Sequence, residues 1–170
     1  MFKTILRAVA RPAALTLLMA ASATASAGDW VAEPLDIEGT LVEAVGAAER
    51  CPSNFGGTIS GHGKSTMMGG KVVFIATDCI TPVGYMFNFS DGRFIVMTTS
   101  GDQIFANYSG QFVPTGVGKN FVFSGATFQI TGGTGKFAKV TGGGTLTGDE
   151  DMITGTGNIK LTGQALYMKK

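Results

Sequence analysis

Apolar and polar residues alternate with a period of two along most of this chain, and clusters of glycine interrupt the alternation at short intervals. The clearest case is Gln103 to Phe112. There Ile104, Ala106, Tyr108 and Phe112 share one face, Gln103, Asn107, Ser109 and Gln111 share the other, and Phe105 is the apolar exception. Such alternation marks a strand with one buried and one wet face. Met67 to Thr77, with Val72-Val73-Phe74-Ile75, is the strongest apolar run and predicts a well-buried strand. Ile37 to Val45 predicts a first strand, after a polar lead-in arm, Asp29 to Asp36, that contains Pro34. Gly46 to Gly57 reads as a loop, Thr58 to Lys64 as a glycine-broken segment, and Cys79 to Pro82 as a turn.

Further strands are expected over Gly84 to Phe89 and Phe94 to Thr99, with Asp91-Gly92 as the two-residue hairpin turn between them. Asn120 to Ile130 carries Phe121 and Phe123 on one parity, Phe128 and Ile130 on the other. A bulge at Gly125-Ala126 would bring all four to one face. Ile130 to Gly148 is the glycine-rich centre of the pattern, where Gly132-Gly133-Thr134-Gly135 marks a tight turn between β segments. Asp149-Glu150-Asp151 reads as an acidic turn before a last strand, Met152 to Leu166, with Ile153, Ile159 and Leu161 on one face. Eight or nine strands and no long helix result. A closed antiparallel barrel and a two-sheet sandwich both fit, and closure is favoured because it removes exposed edges.

Composition sharpens this picture. Glycine is 26 of 170 residues without a G-X-Y period, so the excess is turn punctuation in one all-β domain. Residues 1–27 read as a secretory signal: Lys3, Arg7 and Arg11 precede the apolar run Ala13 to Ala21, and Ala25-Ser26-Ala27 offers small residues for cleavage. The apolar run falls short of the roughly 18–20 residues that span a bilayer. Residues 28–170 then form a single exported β-barrel domain, periplasmic or extracellular, with no membrane span after signal removal. Taking those three cations from 13 leaves ten against 12 acids, so this domain lacks the basic footprint expected of a nucleic-acid partner. Cys51 and Cys79, an even pair in an oxidising compartment, are expected to form a disulfide.

Few motifs carry chemistry. Gly61-His62-Gly63-Lys64-Ser65-Thr66 lacks the first glycine of a phosphate-binding loop, since Thr58 stands in its place. Gly132-Gly133-Thr134-Gly135-Lys136 has no following helix to receive a pyrophosphate. His62, the single histidine, has no nucleophile elbow beside it and reads as a solvated surface residue. Asp149-Glu150-Asp151 lacks calcium-loop spacing, and the triplets beginning at Asn88 and Asn107 receive no role as glycosylation sites. No cofactor, metal or catalytic set is expected. The aromatic residues sit at strand spacing and read as core, with Phe105, Tyr108, Phe112, Phe121, Phe123 and Phe128 as candidates to line a ligand cavity.

Three pieces in series, Gly101-Asp102 to Tyr108-Ser109-Gly110, then Phe123-Ser124-Gly125, then Thr131-Gly132-Gly133-Thr134-Gly135-Lys136-Phe137, resemble the allene oxide cyclase-like barrels, which include the plant dirigent proteins. The resemblance covers roughly residues 65–165. It implies an eight-stranded antiparallel barrel with a central apolar cavity, often trimeric in plant members, so a homo-oligomer is within its scope. Those members steer the cyclisation or coupling of small hydrophobic molecules without a cofactor, and the glycine turn is structural in them. Two functions follow as expectations. One is a non-enzymatic exported barrel that binds a small hydrophobic ligand or acts through its surface. The alternative is a cofactor-free isomerase or cyclase, for which Tyr108, Asp102 and Glu43 are the polar groups to find inside.

Overall fold

A computed structural model describes residues 29–169; the signal-peptide expectation lies outside them. Eight antiparallel strands close into a barrel in sequence order: β1 (Trp30–Ala47), β2 (Phe55–Ser65), β3 (Gly70–Val83), β4 (Met86–Thr98), β5 (Gln103–Pro114), β6 (Asn120–Gly133), β7 (Thr141–Asp151) and β8 (Thr156–Met168). Strand β1 closes the ring. Its second half pairs with β2 from Glu38 onward, while Trp30 to Val42 pair with β8. The lead-in arm is therefore the first half of β1. Leu35 and Ile37 point inward there, and Pro34 sits where β1 has no β2 partner, a position that tolerates a missing N–H.

Four other readings of the sequence change. Asp91-Gly92 makes no hairpin; β4 runs through it with a bulge, and the turn between β3 and β4 is at Gly84-Tyr85. The signal came from positive φ, which Asp91 adopts at 49°, and bulges use that conformation as readily as turns do. Cys79 to Pro82 continues β3, and Thr58 to Lys64 is the body of β2. Asp149-Glu150-Asp151 ends β7, so the turn falls at residues 152–155 and leaves Ile153 exposed. The expected bulge in β6 is present: the pairing with β5 slips between Ser109 and Gln111, and Gly125 takes φ 57°. Phe121, Phe123, Phe128 and Ile130 consequently all join or pack on one core.

Side chains fill the lumen. A run of touching rings, Phe74, Phe94, Tyr108, Phe89, Phe112 and Phe123, follows the barrel axis with centroid separations of 5.2, 6.1, 5.9, 4.8 and 5.1 Å. The central apolar cavity implied by the resemblance is thus reduced to a void of about 20 Å³, room for one water. One barrel end is sealed. The glycine turn folds into a short 3₁₀ turn (Gly135–Phe137) that drives Phe137 and Val140, both 0 % exposed, under the rim. Phe137 meets Tyr167 edge-on at 5.7 Å, and Lys136 Nζ fastens the plug by donating to the Met67 carbonyl at 3.0 Å.

Because Phe137 is wholly buried and packs edge-on against Tyr167, Phe137→Ala is expected to cost about 3–5 kcal/mol. The shift in the urea unfolding midpoint measures it.

Candidate functional site

The open end of the barrel gathers the ends of β1, β3, β5 and β7 and the starts of the even strands. Strand parity sends three carboxyls inward there. Glu43 follows Leu41 on β1, Asp78 follows Phe74 and Ala76 on β3, and Glu150 lies on the parity of Leu146 on β7. Glu43 is 6 % exposed, Asp78 1 % and Glu150 2 %. Carboxyls this buried normally have partners. Asp78 has two: the Tyr108 hydroxyl donates to Oδ2 at 2.9 Å and the Gly57 N–H to Oδ1 at 3.1 Å. Both oxygens of Glu43 and Oε2 of Glu150 receive no donor among the described residues.

Space for Glu43 comes from Gly57, because a Cβ there would collide with the Glu43 carboxyl. Beside the cluster the expected disulfide joins Cys51 to Cys79, next in sequence to Asp78, with a Cα–Cα distance of 5.2 Å. It holds the β1–β2 loop to β3, a constraint worth about 3–4 kcal/mol for a loop of this length. Arg50 on that loop places Nη1 3.4 Å from Cys79 Sγ and 3.5 Å from the Asp91 carbonyl oxygen that accepts from it.

Burial sets the protonation. Loss of hydration, then the charges of Glu150 and Asp78, push the Glu43 carboxyl up to about 9. Loss of hydration, with the charge of Asp78, also raises Glu150 to about 7, although the neighbouring Glu43 pulls the other way. Glu43 is therefore the member of the pair that holds its proton at neutral pH. Asp78 is raised by burial against the opposing donors Tyr108 and Gly57 and the charge of Arg50. The Tyr108 phenol is raised by burial and by Asp78, so it stays a donor. The resulting unit is a neutral acid beside a carboxylate that titrates near neutrality, in a site almost without water.

Above the cluster opens a pocket of about 320 Å³, at the small end of the usual range for small-molecule sites. Ile80, Phe87, Phe112, Phe121 and Met152 form its apolar walls, Glu43 reaches it from within, and Lys119 stands exposed on the β5–β6 loop at its edge. Of the six cavity candidates, Phe112 and Phe121 line this pocket, while Tyr108, Phe112 and Phe123 line the 20 Å³ void. Phe128 lies deeper in the core. Phe105 points the other way, half-buried on the outer face, because it opposes the parity of Ile104 and Ala106. Among the three polar residues expected inside, Tyr108 and Glu43 are there. Asp102 instead lies in the β4–β5 turn at the sealed end, bonded to Ser100.

Sequence reading missed Asp78 and Glu150. The signal existed in both cases: the alternation Val72, Phe74, Ala76 continues to Asp78, and that of Leu146 to Glu150. Among the described residues no group of three metal-ligating side chains is placed to hold an ion. Compared with known proteins, the chain matches no family model, and no curated protein shows significant sequence similarity to it.

A carboxyl whose pKa is raised on folding binds its proton more tightly in the folded state than in the unfolded chain. Stability from Glu43 is thus full below its ordinary value of 4.5 and is lost as pH rises toward 9. The urea unfolding midpoint is expected to fall steadily from pH 5 to pH 9. Glu43→Gln, which cannot ionise, should flatten that slope; an equally steep slope in the variant would show that Glu43 does not carry it.

Proposed function

We propose that this protein is an exported barrel, allied in design to the allene oxide cyclase-like proteins, that binds a small and largely apolar molecule at its open mouth. One observation carries the reading: the apolar pocket has at its inner side a buried carboxyl, Glu43, whose oxygens are unpartnered. An unpaired polar group in an apolar site costs about 1–3 kcal/mol, which a ligand group can recover by pairing with it. Since Glu43 holds a proton at neutral pH, it selects a ligand with an acceptor oxygen, such as a carbonyl or ether, at the end that enters first. The disulfide supports export, because such bonds persist in oxidising compartments.

A second reading, cofactor-free isomerisation, rests on the acid–base pair itself. Two carboxyls whose surroundings separate their affinities to about 9 and about 7 are suited to give a proton at one atom and take one at another. Glu43 would polarise the ligand oxygen while Glu150, buried beside Glu43, would accept a proton from a neighbouring carbon.

Native mass spectrometry of the mature protein from its exporting host is expected to show a retained apolar mass. That ligand, at about a hundred times its Kd, should raise Tm by about 5–10 °C. Val45→Trp, at the exposed edge of the pocket, should abolish both effects without touching the core. A chain that emerges empty, and whose Tm no apolar oxygenated compound moves, would refute the binding reading. Isomerisation further requires solvent deuterium to enter a bound ketone with a bell-shaped pH profile, its limbs near about 7 and about 9. Glu43→Gln should lose the upper limb.

A further inference from the structure

The outer face of β1 to β5 has a graded character that register makes visible. One row across the sheet is Val42, Ser60, Ile75, Ile95 and Phe105. The next, toward the sealed end, is Thr40, His62, Val73 and Met97. The third is Glu38, Lys64 and Lys71. Along the strands the surface therefore passes from apolar to cationic within three rows. Val73 and Ile75 are 53 % and 57 % exposed, unusual for adjacent same-face positions of a strand with water outside.

Lys64 and Lys71 are directly opposed across the β2–β3 ladder, where like charges repel. Among the described residues the one ion pair is Lys160 with Asp36 at 3.9 Å, so neither lysine makes one, although Glu38 stands opposite Lys64 in the ladder. A groove of about 500 Å³ has Lys64, Lys71 and Glu38 in its lining and continues over Val73 and Met97. The lysines call for an anion between them, and the groove offers apolar surface leading away from it.

We propose that this outer groove is a second binding site, for a free single-chain anionic amphiphile. Its phosphate or sulfate head sits between Lys64 and Lys71, and its hydrocarbon tail lies over Val73 and Met97 toward Ile75. The head is recognised as a point charge, which suits ammonium groups, and the tail gains by covering exposed Val73 and Ile75 and half-buried Met97. The site is separate from the mouth pocket, with which it shares no residue, and does not depend on the function proposed for that pocket.

The test is calorimetric titration of the mature chain with n-dodecyl phosphate kept below its micelle-forming concentration. Saturable one-site binding that weakens with salt is expected. Lys64→Gln/Lys71→Gln should lower affinity about tenfold or more, Val73→Ser should weaken it, and inorganic phosphate should bind far less tightly. All these changes are on the surface, and unchanged far-ultraviolet circular dichroism verifies the fold. Val45→Trp at the mouth should leave the titration as it was. An unaltered affinity in the double lysine variant, or loss of binding in Val45→Trp, would overturn the assignment. Binding to phosphatidylglycerol vesicles without binding to monomeric dodecyl phosphate would overturn the commitment to a free amphiphile and make the face a membrane contact.

Discussion

An eight-stranded barrel encloses a lumen only about as wide as the side chains that fill it. Every inward position is therefore in competition for the same narrow volume, and the rest of the structure follows from how that competition is resolved. Aromatic rings from β3 to β6 take the middle, and the plug carrying Phe137 and Val140 takes one end. The larger open space lies at the other end, beside the ends of β1, β3 and β7, which is where the inward carboxyls are found. The fold thus places these carboxyls next to the mouth pocket because the rest of the lumen is filled.

The electrostatics follow from the same filling. Packed rings below the cluster keep water out, and desolvation is the first cause of the upward shifts at Glu43, Asp78, Tyr108 and Glu150. Asp78 is furnished with donors and Glu43 is not. That asymmetry separates a carboxyl with a structural role, anchoring Tyr108 and the start of β2, from one left facing the pocket. The disulfide and Arg50 lie on the outer side of the same wall, so the β1–β2 loop is pinned where it bears on Asp78.

Much of the fold was legible because period-two alternation survives in β3, β5 and β6, and because the parity change around Gly125 admits one physical remedy, a bulge. Tyr108 and Glu43 were legible as inward groups for the same reason. What failed was punctuation. Asp91-Gly92, Cys79 to Pro82 and Asp149 to Asp151 have turn composition, yet tertiary pairing carried the strands through all three. Once a strand is ended too early its parity is no longer followed, and that concealed Asp78 and Glu150. Polarity misled as well: three consecutive acids read as solvent-exposed, although alternation turns only the middle one inward.

Gly57 gives this arrangement a consequence for how the sequence drifts. Most positions in a protein are held by the atoms they contribute; this one is held by atoms it must lack, since any Cβ would occupy the volume of the Glu43 carboxyl. The two positions thus share a single vacancy. A larger residue at 57 becomes admissible only after the acid at 43 has shortened, and descent from a common ancestor would record that dependence as paired change across the β1–β2 ladder.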